Sequence, residues 1–178
     1  ECSSYTSYIS RIEKRLKTDL LKDFPDAECS MEDALWDILD SIFDVYHGQK
    51  FLFVMDEWDY IFHRDFVLDE DRKRYLQFLS NLLKDHAYVS MSYMTGILPI
   101  SKYSSGSELN MFMEFKMTSM AMFGEYFGFT DEEVDVLYEK YLHLCKDPQV
   151  SREGLREWYD GYFTASGRRL YKPRSVVM

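Results

Sequence analysis

Five consecutive apolar residues, Phe51-Leu52-Phe53-Val54-Met55, run directly into two acidic ones, Asp56-Glu57. The run is too short for a stable helix and has no polar position on either face. It predicts a strand buried on both sides, in the middle of a parallel sheet rather than at its edge. Its neighbours follow the same logic. Residues 70–86 repeat apolar side chains at helical spacing through Tyr75, Leu76, Leu79, Leu82 and Leu83. Tyr88 to Met94 then reads as a second strand, ended by Thr95-Gly96. Strand, helix, strand in that order predicts a parallel α/β arrangement. Ligands of such sheets sit at the carboxyl ends of the strands, and Asp56, Glu57 and Thr95 all fall there.

The flanks are mostly helical. Tyr5, Tyr8, Ile9, Ile12, Leu16 and Leu20 recur at the spacing of an amphipathic helix, which Phe24-Pro25-Asp26 breaks. Ser30, with Asp33 at the capping-box position, predicts the start of a second helix with Leu35, Ile38, Leu39, Ile42, Phe43 and Tyr46 on its apolar face and Gly48 as its stop. Phe112 to Met117 offers a third strand. Beyond it, Thr130 and Glu133 form a capping box bracketed by Phe129 and Val134, and Leu155, Trp158, Tyr159 and Tyr162 line a further short helix.

Composition narrows the function classes. A net charge of −10 does not suit a nucleic-acid surface, which needs clustered Lys and Arg. Cys2, Cys29 and Cys145 are odd in number, far apart and without metal-ligand spacing, so a zinc site or disulfide framework is not expected and a reducing, cytoplasmic setting is the default. No apolar run reaches the length of a membrane span. The chain begins with Glu1 and ends abruptly at Met178, which reads as a piece of a larger protein.

The chemistry-bearing residues lie at the two strand ends. An apolar strand followed by Asp-Glu has the form of a Walker B element: Asp56 would hold Mg²⁺, usually through water, and Glu57 would orient and deprotonate an attacking water. Thr95-Gly96 occupies the place where a small polar residue can sense a terminal phosphate. Gly96-Ile97-Leu98-Pro99-Ile100-Ser101-Lys102-Tyr103 nearly spells a Walker A phosphate loop, but Ser101 stands in place of the second Gly and Tyr103 in place of the Mg²⁺-binding hydroxyl. A phosphate cradle needs both, and no other candidate exists in the chain. In the acidic stretch from Asp56 to Asp71, the first two or three carboxylates are expected to point inward and the rest to be solvated. His47, His63, His86 and His143 show neither metal-ligand nor triad spacing.

Five segments in order resemble the bacterial AAA-ATPase-like domain proteins. They are Val54-Met55-Asp56-Glu57-Trp58-Asp59, Met94 to Lys102, Glu125-Tyr126-Phe127-Gly128-Phe129-Thr130-Asp131-Glu132-Glu133-Val134, Trp158-Tyr159-Asp160-Gly161-Tyr162, and Tyr171-Lys172-Pro173-Arg174-Ser175-Val176. The resemblance covers roughly residues 45–178. It implies a partial P-loop NTPase core of the ASCE type, with a mostly parallel sheet flanked by helices and a C-terminal helical segment. Residues 1–123 would be the core lacking its N-terminal Walker A part, and residues 124–178 a helical appendage or lid packed beside the sheet. The family's Walker B carboxylates match Asp56 (metal) and Glu57 (catalytic base), and its Thr-Gly strand end matches Thr95 and Gly96 (cofactor-binding). ATP and Mg²⁺ are the implied cofactors of the full-length protein. The implied partners are an upstream Walker A segment and a downstream, restriction-endonuclease-like domain of the same polypeptide, with a homo-oligomer left open. Pro99 stands where many members carry a basic residue, and Lys172 where Asn is usual. The alternative is a degenerate NTPase fold serving as a binding scaffold. A nuclease built on the acidic cluster lacks the Lys that a restriction-type site needs beside its second carboxylate.

Overall fold

The computed structural model describes residues 3–100, 109–115, 122–159 and 161–173. The chain divides into two compact units, Glu1–Met113 and Glu114–Met178.

In the first unit, helix α1 (Tyr5–Asp23) starts on Ser4, whose hydroxyl accepts from the Ser7 N–H while the Ser7 hydroxyl accepts from the Ser4 N–H. Helix α2 (Leu35–Val45) begins later than its sequence suggests. The Asp33 carboxylate accepts the Ser30 N–H at 2.7 Å, but this closes a separate turn, and Ala34 is still extended. Strand β1 (Phe51–Met55), helix α3 (Asp69–Leu83) and strand β2 (Val89–Met94) follow as expected. The two strands are parallel, with Leu52 opposite Met91 and Val54 opposite Tyr93. Every apolar residue foreseen for the α3 stripe is buried. Leu35 and Leu39 of α2, Leu82 and Leu83 of α3, and Tyr88 form a core against which Phe51, Phe53, Met55 and Met94 pack.

Two expectations for the sheet are corrected. Among the described residues it has two strands, so β1 has a partner on one side only and stands at an edge. It is also buried on one face only: Leu52 and Val54 are 65% and 71% exposed, and Met91 and Tyr93 beside them are exposed too. The physical reason is that α2 and α3 both pack on the Phe51–Phe53–Met55 face. Residues 112–115 are not a strand. Phe112 turns back on Leu109 and packs against the core as irregular chain, while residues 116 and 117 lie outside the described residues. Among the described residues, no helix is long and apolar enough to cross a membrane.

The second unit is not wholly helical. Helix α4 (Asp131–Leu144) opens on the foreseen box, with the Thr130 hydroxyl accepting from the Glu133 N–H and the Glu133 carboxylate accepting from the Thr130 N–H at 2.8 Å. Helix α5 (Arg152–Trp158) is short, and Trp158 at its end is 82% exposed rather than part of a buried stripe. Tyr162, expected on that helix, lies instead in an antiparallel hairpin of β3 (Tyr162–Phe163) and β4 (Arg169–Leu170). Thr164 closes the hairpin: its N–H donates to the Arg168 carbonyl at 2.8 Å, and its hydroxyl accepts the Arg168 N–H at 3.1 Å. Tyr171 then bridges to Phe129 through two backbone hydrogen bonds. Asp160 lies outside the described residues.

Arg152 joins these pieces. Its guanidinium donates to Asp135 at 2.6 Å and to Asp131 at 3.0 Å, and Asp131 also accepts the Tyr171 hydroxyl at 2.6 Å. The Tyr171 hydrogen bond, aided by Arg152, holds the Asp131 carboxyl below its ordinary range. A carboxylate depressed in the folded state adds stability above its unfolded pKa and loses it as pH falls through the folded value. Asp131→Asn is therefore expected to shrink the difference in stability between neutral pH and pH values below the usual carboxylate range. Urea melts of both chains across that range check this; an identical pH dependence would mean that the network is not formed.

Candidate functional site at the strand ends

The carboxyl ends of β1 and β2 are joined through Thr95. Its N–H donates to the Met55 carbonyl at 2.8 Å, continuing the sheet by one rung, and its carbonyl accepts the Trp58 N–H at 2.9 Å. Its hydroxyl donates to the Asp56 carboxylate and accepts the Glu57 N–H at 3.2 Å. Four consecutive residues of one strand end are thus gripped by one residue of the other. The turn this requires is sharp. Glu57 sits at φ +51°, left-handed backbone that costs an L-residue about 1–2 kcal/mol. That turn swings Trp58 back under Thr95 and leaves the Glu57 side chain exposed at the tip.

The floor of the site is apolar and rigid. Trp58 is buried edge-on against Phe62, with ring centroids 5.4 Å apart. The Tyr75 hydroxyl of α3 donates to the Trp58 carbonyl at 3.0 Å, and burial raises the Tyr75 pKa well above its ordinary value, keeping the phenol a donor. Next to Trp58 is Asp59, 2% exposed. Its carboxylate accepts the Leu98 N–H at 2.8 Å and the Ile97 N–H at 3.1 Å, and His63 Nε2 lies 3.6 Å away.

All four sequence-derived site residues, Asp56, Glu57, Thr95 and Gly96, are brought together. Their relation to solvent is not the foreseen one. Asp56 and Glu57 are exposed, and the buried carboxylate is the third, Asp59. The reason is geometric: the left-handed turn at Glu57 reverses the chain, so Trp58 and Asp59, not Asp56 and Glu57, face the core. Sequence reasoning allowed Asp59 to point inward as the third carboxylate but gave neither it nor Trp58 a structural part in the site. The available signal was Gly96, where an added Cβ would lie 2.6 Å from Asp59 Oδ1 and 2.6 Å from the Trp58 ring.

Asp56, Glu57 and Thr95 present hard oxygen donors at an exposed strand end, which suits Mg²⁺. Among the described residues, no three His, Cys, Asp or Glu side chains gather as a metal-binding group. The rest of the near-Walker A stretch, Ser101 to Tyr103, lies outside the described residues. No protein-family model, curated protein or solved structure matches this chain.

Proposed function

We propose that this chain is the Walker B and sensor part of an ATP-hydrolysing P-loop domain of the AAA-ATPase-like kind, with phosphate binding supplied by a segment outside it. The observation that carries the reading is Thr95 tying together Asp56 and Glu57 at the carboxyl ends of two adjacent parallel strands. In this role Asp56 would hold Mg²⁺, which would supply charge to neutralise phosphate oxygens. Glu57 accepts a proton from the attacking water, and Thr95 marks where the terminal phosphate sits. A Walker B strand belongs inside its sheet, and β1 is an edge strand here. The reading therefore requires a further strand to pair with β1. The uncovered face of Leu52, Val54, Met91 and Tyr93 favours added structure, because parallel sheets are ordinarily covered on both sides. That same bare face also favours the second reading, a non-hydrolytic scaffold that binds a partner there.

Two measurements test this. The full-length protein should hydrolyse ATP in the presence of Mg²⁺; a protein without turnover would favour the scaffold. The chain alone, titrated with Mg-ATP by calorimetry, should bind at millimolar strength or weaker, about 4 kcal/mol or less. Most of the grip on phosphates comes from the loop amides and lysine of a Walker A element. Micromolar affinity would mean that a phosphate site exists within these residues.

A further inference from the structure

We propose that Asp59 is a positioning residue for this site: it sets the height of Thr95 over the strand ends by clamping the loop that follows β2, without touching nucleotide itself. Its catalytic consequence rests on the ATPase reading above; the clamp itself does not.

A carboxylate that is 2% exposed is costly unless its oxygens are occupied. Asp59 spends its acceptors on two successive loop amides, those of Ile97 and Leu98. These amides begin two residues after Thr95, beyond the last sheet rung, where no strand pairing is left to hold the chain. Charge-assisted hydrogen bonds of this kind are shorter and stronger than neutral ones. The clamp is anchored from behind. Trp58, beside Asp59, is locked by Phe62 and by the Tyr75 hydroxyl of α3. Gly96 allows the approach, since any Cβ there would collide with both Asp59 and Trp58. A continuous set of contacts therefore runs from α3 through Trp58 and Asp59 to the 96–98 loop, and from there to Thr95, Asp56 and Glu57. If Asp59 lets go, Thr95 keeps its backbone bonds to Met55 and Trp58 but loses the seating of the following loop that aims its hydroxyl at Asp56 and the Glu57 N–H.

The experiment compares wild type, Asp59→Asn and Asp59→Ala. In the full-length protein, kcat for ATP should fall by roughly tenfold or more in Asp59→Ala, with KM far less affected, as expected when a geometry needed only in the transition state is lost. Asp59→Asn should be intermediate: its amide oxygen can take the place of Oδ2, which accepts both amides, but it carries no charge, and its NH2 replaces Oδ1, which also accepts from the Ile97 N–H. In parallel, hydrogen exchange on the present chain should show faster exchange at Ile97, Leu98 and Glu57 in Asp59→Asn, with the β1–β2 amides unchanged. Wild-type turnover with equal kcat in Asp59→Ala overturns the positioning role. If wild type has no turnover, the ATPase reading fails and the exchange data decide the clamp alone: an unchanged Glu57 amide overturns it, and a loosened one supports it. Faster exchange throughout the core, with kcat and KM both degraded, reduces Asp59 to a stability residue and also overturns the proposal.

Discussion

On the proposed ATPase reading, Glu57→Gln in the full-length protein is expected to slow ATP hydrolysis by about 10²- to 10⁴-fold, the range general-base catalysis supplies. ATP binding should stay close to wild type. Glu57 stands exposed at the tip of a left-handed turn, with its backbone N–H fixed by the Thr95 hydroxyl. Its side chain is exposed, so water reaches the carboxylate. Gln preserves shape and hydrogen-bonding reach but cannot take up a proton. The backbone geometry that presents the side chain depends on the N–H, not on the carboxylate, so the substitution leaves the turn intact. Steady-state kinetics and a nucleotide-binding titration on the same preparation separate the two effects. Turnover at the wild-type rate would remove Glu57 from the base role.

Gly96→Val should be the most disruptive single change near the site for stability, costing about 3 kcal/mol. A Cβ at position 96 would meet Asp59 Oδ1 and two atoms of the Trp58 ring at 2.6 Å. Neither neighbour can retreat easily. Trp58 is wedged against Phe62, and Asp59 is held by two amides. The loop must instead lift away, leaving the Asp59 carboxylate short of partners in a buried place. Urea melts of the chain would show the midpoint falling sharply, with Gly96→Ala affected less. An unchanged midpoint would mean that the 95–98 loop is not seated on Trp58 in solution.

Much of the fold was legible where its signals are local. The stripe of Tyr75, Leu76, Leu79, Leu82 and Leu83 has one periodicity and one solution, a helix buried on that side. The short apolar run from Phe51 to Met55 between a helix stop and two carboxylates likewise had one reading as secondary structure. The Thr130–Glu133 box acts within four residues, and it forms as its spacing says. The Ser30–Asp33 pair carries the same pattern, yet it closes a turn short of the helix. Two residues can satisfy each other without a helix following, and nothing in the pair itself says which will happen.

What the sequence by itself determined was the identity of the elements from α1 to β2 and the meeting of Asp56, Glu57, Thr95 and Gly96. Parallel pairing of two consecutive strands brings their carboxyl ends together whatever surrounds them. Tertiary structure decided the rest. The run from Phe51 to Met55 is equally apolar on its two faces, so the sequence pattern could not say that only one would be covered; α2 and α3 chose it by packing together against Phe51, Phe53 and Met55. Tyr162 joined a hairpin because Thr164 and Arg168 pair across a turn and Tyr171 reaches back to Phe129, contacts that no helical periodicity contains. Asp59 was the third of the carboxylates, the last that the sequence allowed to point inward, and nothing in the sequence named its partners. It is buried because Glu57 reverses the chain and because two amides 38 and 39 residues away arrive to meet its carboxylate, a pairing that exists only after the strands have come together.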